Sequence, residues 1–281
     1  MLVPTPIGNL GDMSARAVAA LRAADLVLCE DTRSTARLLA AYGIEARTSP
    51  LHEHNEDARI PGVLGLLAEG RCVAVVSDAG MPLLSDPGFR LVRAAIAAGH
   101  PVSAVPGPHA ATLALVLSGL PPHPYLFAGF PPPRQGPRLA LFAGLRAAER
   151  AGLSATLIFH EAPHRLAEAL ADLATVFGAE RPAAVARELT KRFEEVRRDT
   201  VGRLAAHYAT EAARGEIVVL LGPAPEETAG PDALDAVLRD GLDAGLGVRA
   251  AADAAAATTG VPRRDAYARA LVLRSGGTNG S

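Results

Sequence analysis

The chain has 281 residues, 49% of them hydrophobic, and carries 28 basic against 30 acidic side chains for a formal net charge of −2. That length allows two domains and a small third, and that charge argues against a strongly basic nucleic-acid binder. No apolar run reaches the ~18 residues of a membrane span, and no charged leader precedes an apolar stretch, so neither a membrane anchor nor a secretory signal is expected. The two cysteines, Cys29 and Cys72, each sit in an apolar run, which fits free thiols in a reducing cytoplasm better than a disulfide framework.

Residues 2–6 predict a strand and 14–23 a helix with Ser14 as N-cap. A second strand follows over 26–30, then a helix over 32–42 ended by Gly43. An extended piece near 47–51 runs into the polar loop His52-Glu53-His54-Asn55-Glu56. A helix over 59–69, a strand over 72–77, a helix over 87–98 and a strand over 101–105 continue the alternation. Pro106-Gly107-Pro108 then opens a helix over 109–118. Strands alternating with helices of about ten residues predict an α/β domain with a largely parallel sheet over 1–119.

Gly119-Leu120-Pro121-Pro122-His123-Pro124 reads as a linker. A second α/β domain is predicted over 120–224, with strands over 125–130, 153–160, 183–189 and 215–221. Its helices fall over 138–150, from 165 to Val176, and over 200–212. The stretch 191–199 reads as a polar, charged segment. Residues 224–231 have linker composition. Three short helices separated by Gly245-Leu246-Gly247 and Gly260-Val261-Pro262 predict a helix-turn-helix-like module over 231–275, with a fraying tail over 275–281.

Three loops of the first domain, 4–9, 77–82 and 106–110, each follow a strand. In a parallel sheet they share one edge and can line one crevice, although each also reads as ordinary strand-to-helix turn chemistry. Neither the first nor the second has the spacing of a nucleotide phosphate loop, which argues against simple ATP or NAD binding. Asp78 can accept hydrogen bonds from an amino group or a ribose. Glu30-Asp31-Thr32-Arg33 can orient a hydroxyl or a phosphate, but Asp31 equally reads as a helix cap. His52 and His54 have no nearby Cys and no helical His-x-x-x-His spacing, so acid, base or RNA contact is expected of them rather than metal binding. His160-Glu161 and Arg187-Glu188-Leu189-Thr190-Lys191 end strands of the second domain and can face the first across a cleft; Arg187 and Glu188 also read as an ion pair. Lys191 is the one Lys among 27 Arg. Arg-rich stretches at 134–150 and 262–274 read either as an RNA footprint or as solvated helix faces.

Six segments carry a resemblance when taken in register: Val3-Pro4-Thr5-Pro6-Ile7-Gly8-Asn9-Leu10, Glu30-Asp31-Thr32-Arg33, Leu51-His52-x-His54-Asn55-Glu56, Ser77-Asp78-Ala79-Gly80-x-Pro82-x-x-x-Asp86-Pro87-Gly88, Glu161-Ala162-Pro163-His164-Arg165 and Arg187-Glu188-Leu189-Thr190-Lys191. The chain thereby resembles the tetrapyrrole-methylase-like (class III) S-adenosylmethionine enzymes and, among them, the RsmI family of bacterial 16S rRNA (cytidine-2'-O)-methyltransferases. The likeness runs in order over residues 2–223.

The resemblance implies two α/β domains of the tetrapyrrole methylase type with S-adenosyl-L-methionine in the cleft between them, plus the helical module, in a homodimer. It implies methylation of the ribose of a decoding-centre cytidine, cytidine 1402, in 16S rRNA within the small (30S) ribosomal subunit, with no metal. By position, the cofactor contacts would be Ile7, Ser77, Asp78, Met81, His109, Ala110, Glu161, Leu189 and Pro223. Met81 stands where the family usually has Thr, so a backbone contact would survive there and a hydroxyl contact would not. Candidates for catalysis are Asp31, His52, His54, Glu188 and Lys191, and for RNA contact Arg33, Arg187, Arg263 and Arg264. Two rival readings are a precorrin-type small-molecule methylase and a non-catalytic RNA-binding ribosome-assembly protein.

Overall fold

Residues 1–224 and 231–276 are described by the structure, a computed structural model, and they fall into two units, Met1–Pro223 and Ala224–Ser281. In the first unit the apolar runs β1 (Leu26–Cys29), β2 (Thr48–Pro50) and β3 (Val73–Val75) form a parallel sheet in the order β2-β1-β3. Every residue of β1 and β3 is buried, as expected of strands covered on both faces. One cover includes α1 (Ala15–Arg22) and α2 (Thr32–Ala41), which contribute Leu21 and Leu39. The other includes α3 (Glu56–Ala68) and α4 (Phe89–Ala97), which contribute Val63 and Leu91. Ser14 caps α1 by accepting the Ala17 amide at 3.1 Å. Helix α3 starts at Glu56 rather than near 59, because the acidic pair Glu56 and Asp57 suits a first helical turn.

The strands predicted over 2–6 and 101–105 shrink to isolated bridges. Leu2 bridges Val75 on one side and Ala104 on the other. The Val3 amide donates to the Val75 carbonyl at 3.0 Å, and the Val105 amide to the Leu2 carbonyl at 2.9 Å. Pro4 and Pro6 have no N–H with which to continue such a ladder.

The second sheet has the order β4-β5-β8-β6-β7, from β4 (Tyr125–Phe127), β5 (Thr156–Glu161), β6 (Pro182–Arg187), β7 (Glu195–Thr200) and β8 (Ile217–Leu221). Only β4 and β5 pair in parallel; the other neighbours are antiparallel. Strand β7 falls in the stretch that reads in sequence only as a polar, charged segment. It is an edge strand, so Arg197, Arg198 and Asp199 face water and the segment carries no alternating apolar signal. Helices α6 (Gln135–Arg150), α7 (Leu166–Phe177) and α8 (Val201–Thr210) border the core on one face, around Phe142, Leu170 and Leu204. On the other face lies α5 (Ala110–Ser118), whose Ala111, Ala114 and Leu115 meet Ile158, Ala184 and Leu220. The last helix of the predicted first domain thus packs on the second sheet.

Of the four arginines in 134–150, Arg134 and Arg150 are exposed and the other two are engaged inside the fold. Arg138 is 1% exposed and bonds Asp172 at 2.7 Å, and Arg146 pairs with Glu149 at 3.1 Å. Glu149 also pairs with buried Arg181.

The second unit contains α9 (Pro231–Asp243), α10 (Val248–Thr259) and α11 (Arg263–Gly276) around Leu238, Ala252, Ala255, Ala266 and Ala270. Arg269 holds Asp235 with two bonds of 2.6 Å. Residues 225–230 of the expected linker and 277–281 of the expected tail lie outside the described residues. Among the described residues no helix is long and apolar enough to cross a membrane.

Candidate active site

The loops 4–9, 77–82 and 106–110 meet at the carboxyl edge of the first sheet. Thr5 and Gly80 exchange amide-to-carbonyl bonds of 2.9 and 3.0 Å, and the Thr5 hydroxyl donates to the Ser77 carbonyl at 3.1 Å. The buried Ser77 hydroxyl donates to the Gly80 carbonyl at 2.9 Å, which closes the second loop on itself. The Pro4 ring lies against the Cα of Gly107, where a Cβ would overlap it, so only glycine permits this approach.

Opposite them stand the end of β5, the loop after β6 and the start of β8. Between these walls is a cavity of about 350 Å³, near the lower end of the ~300–1,000 Å³ of small-molecule sites. Ile7, Asp78, Met81, His109 and Ala110 line it from one side, Glu161 and Leu189 from the other. Ser77 stands behind the wall, holding the loop. Pro223 is not on the wall. Strand β8 runs antiparallel to β5 and β6, so its start, Ile217 and Val218, faces the cavity and its end does not.

The backbone is strained around this cavity. Among the described residues, left-handed φ values at non-glycine positions occur at Leu83, Ser85, Glu188 and Thr190, at 74°, 70°, 51° and 66°. All four lie in the two loops that bring Leu84, Ser85, Asp86 and Leu189 to the wall. Such conformations persist where surrounding contacts enforce them, and they cluster at functional sites. Buried Glu56 anchors the first loop from below: its carboxylate accepts the Leu91 amide at 2.8 Å and Arg90 Nε at 3.3 Å. Burial acts to raise the Glu56 pKa, but bonds from the Leu91 and Gly88 amides and Arg90 outweigh it and leave a net lowering. The second loop is anchored by Glu188, which accepts Lys191 Nζ at 2.8 Å and the Glu216 amide at 3.0 Å. The stem of Lys191 crosses Gly8, where a Cβ would overlap it.

The catalytic candidates are not gathered in the cavity. Asp31 caps α2, accepting the Arg33 amide at 2.8 Å, and pairs with the 87% exposed Arg33 side chain. Its own amide donates to Asp78 Oδ1 at 3.2 Å. Asp78 also lines an adjoining hollow of about 340 Å³ with Thr5, Gly8, Ser34 and Arg37. His52 and His54 follow β2 and line neither space; the His52 amide is bonded to Asn55 Oδ1 at 2.9 Å. Glu188 and Lys191 are tied to each other beside the wall. Arg187 pairs across the ladder with Glu195 at 2.6 Å, not with Glu188. In the second unit Arg263 is paired with Asp253, and Arg264 is 94% exposed beside Asp265. Among the described residues no three His, Cys, Asp or Glu side chains are grouped as a metal site.

His160, expected to face a cleft, does line the cavity; Asp86, quoted only within its motif, and Phe130, given no role in the sequence reasoning, line it too. Burial, reinforced by the like charges of Glu30 and Asp78, raises the Asp86 pKa to about 6. Burial, with a smaller contribution from His109, lowers that of His160 to about 4, and burial lowers His109 too. Phe127 lies between the two imidazoles, 5.4 Å from His109 and 4.9 Å from His160, and Phe130 lies 5.2 Å from His160. Among the described residues, four carboxylates (Asp78, Asp86, Glu161 and Glu216) line the cavity and no Arg or Lys does. Glu161 Oε1 is taken by Arg165 at 2.6 Å and the Ala162 amide at 2.7 Å, whereas its Oε2 is buried with no partner. This wall is suited to a ligand carrying positive charge and a hydrogen-bond donor.

Residues 1–205 match the family model of tetrapyrrole (corrin/porphyrin) methylases, and residues 228–274 that of the RsmI C-terminal HTH domain. The chain belongs to the tetrapyrrole methylase family. A fellow member, Ribosomal RNA small subunit methyltransferase I of Mesorhizobium japonicum, is 47% identical over 274 residues, 97% of this chain and 91% of that protein. The protein of the same name from Micromonospora olivasterospora is 45% identical over 98% of this chain and 88% of its own length. Among solved structures, the methyltransferase CobJ is similar with a TM-score of 0.58 at 25% identity, over 80% of this chain and 94% of CobJ. The tetrapyrrole methylase match covers the first sheet and β4 to β7 of the second but stops short of β8 and its cavity residues, and the RsmI-type match falls in the second unit.

Proposed function

We propose that this protein transfers a methyl group from S-adenosyl-L-methionine to the ribose 2'-oxygen of a decoding-centre cytidine, cytidine 1402, in 16S rRNA of the small (30S) ribosomal subunit. The observation that carries this reading is likeness, at 47% identity over 97% of the chain, to a protein named for small-subunit rRNA methylation. It spans both the loops that build the cavity and the helical module.

The donor set of the cavity supports the choice of cofactor. A sulfonium and an α-ammonium are cationic, and among the described residues the wall offers four carboxylates, of which Glu161 and Glu216 also pair with Arg165 and Lys191 while Asp78 and Asp86 have no ion-pair partner. The unpartnered Oε2 of Glu161 supplies an acceptor for an amino group. Ile7, Asp78, Met81, His109, Ala110, Glu161 and Leu189 would hold the cofactor, and Ser77 would keep the Asp78 loop in shape. Bound there, it supplies an activated methyl group. The protein's part is to align that methyl with the ribose oxygen, exclude water and receive the hydroxyl proton.

In this reading residues 1–119 and 120–224 are the two α/β domains, and 231–275 is a docking module for the ribosomal subunit. Arg33, Arg263 and Arg264 are exposed cations offered to RNA, with the less exposed Arg187 in the same set, so binding should weaken with salt. The protein works in the cytoplasm, as a homodimer. The test uses purified protein, labelled S-adenosyl-L-methionine and small subunits lacking native ribose methylation, with label mapped by nuclease digestion and mass spectrometry. Label on one decoding-centre cytidine ribose is expected. Cofactor binding without transfer would favour a small-molecule acceptor, and no cofactor binding a non-catalytic protein.

A further inference from the structure

We infer that the hollow between the loop 4–10 and α2 is a ribose-phosphate site, in which Arg37 and Ser34 hold a phosphate of the acceptor strand and so set its ribose against the methyl donor. This rests on the proposed methyl transfer. The cavity of about 350 Å³ has room for one small molecule, so the acceptor needs a space of its own. The hollow of about 340 Å³ adjoins it, and Asp78 borders both. Among the described residues the two spaces have opposite chemistry. The first is lined by four carboxylates and by no Arg or Lys, a wall that repels phosphate. The second is lined by Arg37 and by the hydroxyl residues Ser34, Thr35 and Thr5, with Asp78 its one carboxylate. Asp78 Oδ1 is already taken by the Asp31 amide at 3.2 Å.

Among the described residues Arg37 is the only Arg or Lys that lines either space. Its guanidinium is exposed and has no hydrogen-bond or ion-pair partner among them, and neither has the Ser34 hydroxyl. By contrast Arg33, Arg71 and Arg90, also in the first unit, are each held by a carboxylate. Positions 34 and 37 are three apart on α2, so the two side chains share one face of the helix. The opposite wall is held in place. The Thr5 hydroxyl donates to the Ser77 carbonyl at 3.1 Å, and the Tyr42 hydroxyl, just past α2, donates to the Leu10 carbonyl. The Lys191 stem lies across Gly8. Leu10, 53% exposed, and Leu38 add apolar surface beside the cation. A fixed hollow with one free guanidinium, a free hydroxyl and an apolar rim suits a sugar-phosphate segment, because the guanidinium fork matches two phosphate oxygens while the sugar rests on the apolar side chains. Arg37 would position the strand and take no part in bond making. Its partner is the phosphate backbone, so it would add affinity without reading the base.

The test compares wild type, Arg37→Glu, Arg37→Lys and, as a charge control on neither space, Arg150→Glu at the exposed end of α6. Single-turnover methyl transfer to unmethylated small subunits is followed against subunit concentration at several salt concentrations, with cofactor affinity by calorimetry and thermal midpoints alongside. Arg37→Glu should weaken apparent affinity for subunits about ten- to fiftyfold, with cofactor affinity within about twofold and an unimpaired melting midpoint. Its logarithmic salt dependence should be shallower than that of wild type by about 0.7–1, the share of one phosphate contact, which a merely structural role would not change. Arg37→Lys keeps the charge and should recover most of the affinity and the slope. Wild-type affinity and slope in Arg37→Glu, or equal losses in Arg37→Glu and Arg150→Glu, overturn the assignment of the hollow alone. A parallel loss of cofactor affinity overturns it too, by making the hollow part of the cofactor site. Wild type that binds cofactor but transfers nothing to subunits overturns the rRNA reading and this assignment with it.

Discussion

Replacing Asp86 by Asn removes one ionisable group from the cavity wall with little change of size. The folded-state pKa of Asp86 is about 6, against an ordinary 3.8, because of burial and the neighbouring Glu30 and Asp78. Between those two pH values the folded chain binds more protons at this site than the unfolded chain does. Stability from this group is therefore lost as pH rises from about 4 to about 6, and the full penalty stands at neutral pH. The gap is worth about 3 kcal/mol as an upper bound at 1.36 kcal/mol per pH unit. The carboxyl is only half-buried, and solvent screening reduces this to about 1–1.5 kcal/mol. Asp86→Asn should therefore be more stable than wild type by about that amount at pH 8, and nearly equal to it at pH 4. In melting temperature this is a gain of about 2–6 °C at pH 8 for a unit of this size. Urea titrations at both pH values, followed by circular dichroism, measure the difference. A difference independent of pH, or a loss of stability at pH 8, would refute the argument that this carboxylate is strained by burial and like charge.

Asp78→Ala should weaken cofactor binding, because its carboxylate lines the cavity; unchanged affinity by calorimetry would remove Asp78 from the binding set. Deleting residues 231–281 should lower methylation of the small subunit more than cofactor affinity, and equal loss of both would mean that the module is structural. Gly107→Ala should cost about 1–3 kcal/mol in urea unfolding, because its Cβ meets the Pro4 ring in a packed junction. Glu56→Ala should cost about 2–3 kcal/mol, because it leaves the Leu91 amide without its charge-assisted partner; a cost under 0.5 kcal/mol would mean that water takes over the cap.

Much of the architecture was legible in local signals. The run Leu26-Val27-Leu28-Cys29, the Ser14 cap and the glycine-bounded turns of the helical module all appear where their patterns place them, because propensity, capping and burial act over a few residues. The three loops that build one wall were legible for the same reason: each is an abrupt end to an apolar run. Strand β7 was not, since an edge strand facing water carries no alternating apolar signature. The place of Pro223 depended on strand direction, which local sequence does not state: once β8 runs antiparallel to its neighbours, its first residues and not its last meet the cavity. Asp86 was quoted within its motif but could not be singled out. What distinguishes it from Asp78 is the absence of a donor and the presence of two like charges, and both follow from long-range packing of β1, β3 and the second sheet. The single Lys191 is likewise a tertiary matter, its stem crossing Gly8 while its ammonium joins Glu188 and Glu216. Local sequence determined the helices, the apolar strands and the loops at strand ends; tertiary structure decided which carboxylate stands unpartnered at the cavity, because desolvation and charge proximity exist only after distant segments are brought together.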